Sequence, residues 1–286
     1  MLLTFPVEIQ SHILAHLPRR DLSSVVRGSQ HLHAVAVRIL YAHVELHSFD
    51  QVEAFFHLGP TPIASKHLEP KRIQWDRVKM LAITIALADS QRTLGTLPSS
   101  LAGPGVGPLR LHRLRVTYHD DAECLLPLLR CLDPAELGLC RTSRLLDPRT
   151  DRWLSCIPAW SHVAHVTLGC PPSPSSLTAV YRHQGGSGPG SPFPQATFAR
   201  LLLPRVPYGM DFALWYLAEA IVYLCPNVDG VEVCVSDKES TSIVEALVER
   251  GTTGQRHLGG KPASYYSVVA KLEGPNIWGD VEEGDA

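Results

Sequence analysis

Lysine is scarce in this chain, 6 against 20 arginines, and the formal net charge is only −2 over 286 residues. That balance excludes the basic footprint of a nucleic-acid-binding surface. The arginine-rich stretch Arg110 to Arg115 alternates with apolar residues and lacks the interleaved aromatics of a single-strand binder. Long apolar runs are missing too. The longest, Phe212 to Cys225, contains Glu219 and falls short of the about 20 residues that span a bilayer, so it reads as a buried helix and no membrane partner is expected. The N-terminus has no basic region followed by an uninterrupted apolar stretch, which predicts no signal peptide. The cysteines (Cys124, Cys131, Cys140, Cys156, Cys170, Cys225 and Cys234) form no C-x-x-C pair, which suits reduced thiols and a cytoplasmic or nuclear location.

Catalytic signals are equally thin. Neither a phosphate loop nor a G-x-G-x-x-G turn occurs, so no nucleotide cofactor is expected. Gly185-Gly186-Ser187-Gly188-Pro189 is close to a serine nucleophile elbow, but proline replaces the last glycine and no strand leads into it, so it reads as a loop. His12 and His16 have the i, i+4 spacing of a zinc helix, yet Ile13 stands where a metalloprotease needs glutamate and no third ligand is indicated, so no metal is expected. An enzyme whose site groups His165 or His119 with a carboxylate stays open.

What is present is concentrated at the N-terminus, LTFPVEIQSHILAHLPRRDLSSVVRGSQHLHAVAVRILYAHVEL over residues 3–46. Pro6 suits a first helical residue, and Glu8 then lies near the positive end of the dipole. Projected at 100° per residue, Pro6, Ile9, Ile13, Leu14 and Leu17 share one side, and Pro18 ends the helix. Asp21 predicts the N-cap of a second helix ending at Gly28, and Ser29 caps a third carrying Leu32, Val35, Ala36, Ile39 and Leu40. Tyr41 to Leu46 alternates as an extended segment.

This pattern resembles the F-box, in the form found in the fungal-type F-box family, at Phe5, Pro6, Glu8, Ile9, Ile13, Leu14, Leu17, Pro18, Asp21, Leu22, Leu40 and Tyr41. Phe5 replaces the usual leucine, and Arg27-Gly28 stands where an apolar pair normally packs helix two on helix three. The resemblance implies docking on the Skp adaptor, and through it on cullin, of an SCF (Skp, cullin, F-box) ubiquitin ligase. Phe5, Pro6, Ile9, Ile13, Leu14, Leu17, Pro18 and Leu22 would form the adaptor-binding face. A unit of about 45 residues without cysteine also buries too little surface to stand alone, so its apolar side must close on something.

Beyond residue 47, apolar residues recur as first, fourth and sixth of short segments: Val78, Leu81, Ile83; Leu111, Leu114, Val116; Leu137 and Leu139 after Pro134; Val163, Val166, Leu168; Phe198, Leu201, Leu203; Val228, Val231, Val233. Helix-like stretches follow several of them, at 122–132, 150–160, 211–224 and 240–250. This region resembles degenerate leucine-rich repeats, although the asparagine or cysteine of the consensus is replaced by His119, Thr142, Pro171, Val206 or Ser236. An ordinary α/β or α+β domain is the alternative.

The expected fold is therefore α/β, a three-helix F-box (1–47) followed by an irregular strand-helix solenoid arc (48–273) and an acidic tail (274–286). Strand alternation would aim Arg113, Arg115, Glu136, His165, Arg200 and Glu232 at one face, the candidate substrate face for an unknown target protein. The expected role is a non-catalytic substrate receptor of a ubiquitin ligase, with a non-ligase interaction scaffold as the alternative. Gly/Pro-rich stretches at 59–62, 98–108 and 183–194 predict rim loops.

Overall fold

The computed structural model describes residues 5–56, 78–89, 92–95, 107–119, 122–141, 160–169, 192–203, 221, 224–235, 241–246, 249 and 266–270. Three helices open the chain. Helix α1 (Val7–Ala15) follows Pro6, which is its N-cap, and carries Glu8 in its first turn. Helix α2 (Arg19–Gly28) starts directly after Pro18, so Asp21 lies in the first turn instead of capping it. Proline supplies a fixed φ at that boundary, and an acidic side chain one turn in still meets the positive helix end. Ser29 caps α3 (Gln30–Ala42), its hydroxyl oxygen accepting from the Leu32 amide at 3.3 Å. That helix continues through Tyr41, where an extended segment was expected, and strand β1 (His43–Leu46) begins only after it.

Leu14, Leu22, Val35 and Ala36 form a small core between these helices, flanked by Leu17, Val25, Val26, Ile39 and Leu40. A buried amide sits at its edge: Gln10 Nε2 donates to the Phe5 carbonyl at 2.8 Å and fastens the start of the chain to α1.

Helix α4 (Phe49–Phe56) follows β1, burying Phe49, Val52 and Phe56. The rest is organised by β2 (Met80–Ile85), β3 (Leu109–Tyr118), β4 (Leu132–Arg141), β5 (His165–Gly169), β6 (Phe198–Leu203), β7 (Gly230–Val235) and β8 (Tyr266–Ala270). With β1 they make one eight-stranded sheet in sequence order, every neighbouring pair parallel.

This architecture corrects the expected fold class. The chain is a mixed α/β protein on one continuous parallel sheet with a few helices among the described residues, not a three-helix F-box followed by a strand-helix solenoid arc. The N-terminal helices exist, but α3 runs into β1 without a linker and the Ala42 carbonyl accepts from the Lys79 amide at 3.0 Å, so they lead directly into the sheet. Between β3 and β4 the described part of the connection is a 3-10 turn, Glu123–Leu125, and the four-residue helix α5 (Leu126–Leu129). A parallel pair needs a crossover, yet it does not require a full helix in each one. A short helical segment also occurs at 241–246. The predicted helices at 150–160 and 211–224 fall almost wholly outside the described residues, as do the rim stretches at 59–62 and 98–106, most of 183–194, and the acidic tail.

One face of the sheet is apolar and buried: Leu81, Ile83 and Ile85 on β2, Leu114, Val116 and Tyr118 on β3, Leu137 and Leu139 on β4, Val166 and Leu168 on β5, Ala199 and Leu201 on β6, Val231 and Val233 on β7. Two strands, β3 and β6, meet the strand before them through a local step. The Lys79 carbonyl accepts from both His112 and Arg113 amides (2.8 and 3.0 Å), and the Ala164 carbonyl from both Thr197 and Phe198 (2.9 and 3.2 Å). Each step turns a residue inward three positions before the next inward one, Leu111 before Leu114 and Ala196 before Ala199.

Candidate functional site

Two surfaces carry the residues singled out in the sequence. The first is the N-terminal helical face. Phe5, Val7, Ile9 and Ile13 are exposed, at 45, 52, 45 and 36 %, whereas Leu14 and Leu22 are buried in the helical core and Leu17 packs against it. The expected adaptor-binding set thus divides. Phe5, Pro6, Ile9, Ile13 and Pro18 are offered to solvent, while Leu14 and Leu22 hold the helices together. Helical periodicity places them on one broad apolar side, but only packing decides which edge of that side turns inward. His12 and His16 meet edge to face at 4.8 Å between ring centres, both exposed beside the outward stripe.

The second surface is the other face of the sheet. Parallel register aligns Met80, Arg113, Glu136, His165, Phe198 and Gly230 in one row, and Ala82, Arg115, Gly138, Thr167, Arg200, Glu232 and Ser267 in the next. Most of these residues are half-buried or exposed. All-parallel sheets are ordinarily covered on both faces, so a partly open polar face departs from the rule. A cleft of about 400 Å³ opens there, lined by Arg113, Arg115, Glu136, His165, Phe198 and Arg200 over a floor that includes Gly138 and Thr167. Five of the six expected substrate-face residues therefore line one depression, and the sixth, Glu232, borders it through Arg200.

Charge on this face is organised in pairs across neighbouring strands. Arg113 donates from Nε (2.7 Å) and Nη2 (2.6 Å) to Glu136 Oε2, and Arg200 Nε donates to Glu232 Oε2. Glu136 also has His112 Nε2 at 3.7 Å and His165 Nδ1 at 4.0 Å from its other oxygen. Side-chain exposures of 17 and 26 % for Arg113 and Glu136 leave this pair partly shielded from water, where charge-assisted bonds are stronger than at a bare surface.

Phe198 is the residue the sequence misplaced. The apolar pattern put it inward as the first position of β6, but the step at Ala164 gives the inward slots to Ala196 and Ala199. Phe198 instead stands on the polar face, its ring edge to face with His165 (5.6 Å) and 5.7 Å from the Arg200 guanidinium carbon.

A serine, a histidine and an aspartate also meet at the lower edge of β4 and β5. The geometry is not that of a relay, because a single nitrogen, His162 Nδ1, faces both Ser161 Oγ (3.2 Å) and Asp133 Oδ2 (2.5 Å). A proton relay needs the two ring nitrogens in separate roles. Among the described residues no three His, Cys, Asp or Glu side chains are grouped to hold a metal ion, and no helix is long and apolar enough to cross a membrane. The Gly185 to Pro189 loop and His183 lie outside the described residues.

Comparison with protein-family models, with curated proteins and with solved structures finds no match for this chain.

Proposed function

We propose that this chain is the substrate-recognition subunit of an SCF-type ubiquitin ligase, docking on a Skp adaptor, and through it on cullin, by its N-terminal helices, while the open sheet face receives a target protein. The observation that supports this most is the outward apolar stripe of Phe5, Ile9 and Ile13, in a segment whose sequence resembles the F-box at those positions. Contiguous apolar exposure of this kind marks an interaction site. In this reading the chain does no chemistry: it holds a target near the charged ubiquitin carrier, so that a bimolecular step becomes effectively intramolecular. Its place of action is the cytoplasm or nucleus.

The test is recovery of Skp and cullin on the purified chain, with Ile9→Asp and Ile13→Asp combined as the disabling variant. Loss of both partners in the variant supports the reading, Skp without cullin moves the protein to a non-ligase scaffold, and recovery of neither by the unaltered chain overturns it. A second reading, an enzyme, is favoured by one observation, the proximity of His165 to Glu136 in the cleft. Their 4.0 Å separation and the commitment of Glu136 to Arg113 weigh against acid–base work.

A further inference from the structure

Three arginines, Arg113, Arg115 and Arg200, stand against two glutamates at the cleft and its border, Glu136 and Glu232. The second row of the open face passes from Arg115 on β3 over Gly138 and Thr167 to Arg200 on β6. Three strand spacings separate the two arginines, roughly 14 Å, which is the length of about four residues of extended chain. Gly138 and the short Thr167 side chain leave room for a backbone between them. In the first row, Phe198 is followed on β7 by Gly230, which has no side chain, so one flank of the ring is left for an apolar group.

Each strand-paired arginine is also held in place with donors to spare. Arg113 and Arg200 give bonds to a single carboxylate oxygen of Glu136 and Glu232, and a guanidinium carries five N–H groups. The glutamates therefore orient the cations without using up their capacity.

We propose that this cleft captures an extended acidic peptide segment lying across the strands, with carboxylates directed to Arg113 and Arg115 at one end and to Arg200 at the other, and an apolar side chain against Phe198. The proposal deepens the substrate half of the ligase reading by naming its chemistry, and the cleft is tested without any adaptor.

The experiment is fluorescence anisotropy of a labelled extended peptide, two glutamates about four residues apart with a leucine midway between them, with the full chain at low and at physiological salt. Expected are saturable binding, weaker at higher salt; a loss of about tenfold with Arg200→Ala or Arg113→Ala; a smaller loss with Phe198→Ala; and no change with Arg38→Ala, an exposed arginine of α3. Since Arg113→Ala also strands Glu136, the double variant Arg113→Ala with Glu136→Ala serves as its folding control, read by thermal unfolding, and should bind as weakly. Equal binding of the glutamine analogue, preference for a lysine peptide, tighter binding of single-stranded RNA, or no binding of the acidic peptide at low salt each overturns the proposal. The Ile9→Asp, Ile13→Asp chain should keep full peptide affinity, so failure of the adaptor reading is visible separately.

Discussion

Replacing Ile9 and Ile13 together by aspartate should abolish adaptor binding and leave the helices folded, whereas Leu14→Ala, in the same helix, should do damage of the opposite kind. Phe5, Ile9 and Ile13 keep between 36 and 45 % of their surface in water. Complete burial of such a side chain is worth roughly 1.5–3 kcal/mol, so covering the exposed part of each contributes about 1 kcal/mol and the three together about 3 kcal/mol. That is a factor of roughly 150 in Kd. The two isoleucines supply about two thirds of it, and a carboxylate forced into the contact adds desolvation, so the double variant should weaken binding by more than about 30-fold. Leu14 is fully buried in a core of four residues, and its truncation should cost about 2–5 kcal/mol of helix packing. Titration calorimetry against purified adaptor reads the first effect and thermal unfolding followed by circular dichroism the second. Retention of affinity within about threefold in the aspartate variant, or a fall in its melting temperature as large as that of Leu14→Ala, would refute the reasoning.

Burial pushes the Cys225 thiol from 9.0 up to about 12. The unfolded chain therefore loses this proton first, and the stability Cys225 contributes is complete below pH 9.0 and declines as pH rises from there towards about 12. Urea unfolding of the native chain against Cys225→Ala should show a steeper decline in the former, since Cys131, also pushed up by burial, titrates in both. A Cβ added at Gly169 would lie 2.8 Å from Cys140 Sγ and 3.2 Å from its Cβ, so Gly169→Ala should destabilise by about 1–3 kcal/mol, and adding Cys140→Ala should restore most of the loss in the same assay. Asp133 is buried, with Oδ1 lacking a hydrogen-bond partner and Oδ2 on His162. His162→Ala should thus lower stability by roughly 1–3 kcal/mol, seen as an earlier urea midpoint, and Asp133→Asn in the same background should recover part of it.

Much of the sheet was readable because inward strand residues repeat on a fixed parity. Leu81 and Ile83, Leu114 and Val116, Leu137 and Leu139, Val166 and Leu168, and Val231 and Val233 all face the core as the apolar pattern required. The same parity put Arg113, Glu136, His165 and Arg200 on the opposite face. Helix ends were less legible: Asp21 has the chemistry of a cap, but Pro18 sets the boundary, and α3 outlasts the alternation that suggested a strand at Tyr41. Phe198 was misread because its triplet was taken two residues late: register sets Ala199 and Leu201 beside Val166 and Leu168, and alanine at 196 and 199 is a weaker apolar signal than the phenylalanine and leucines near it. The solenoid expectation failed for a different reason. A spacing of apolar triplets reports that strands recur, and says nothing about what connects them; between β3 and β4 that connection is a turn and one short helix. Nor does amphipathicity reveal Gln10, a polar residue that the structure buries against the Phe5 carbonyl.

Because every strand pairs only with the one before and the one after it in the chain, no strand has to wait for a distant piece of polypeptide. During synthesis β1 and β2 can zip as soon as both have left the ribosome, and each later strand then adds to a ready-made edge. Growth by single strands also means that losing or gaining one from the far end alters the width of the molecule and leaves the pairing of all earlier strands as it was.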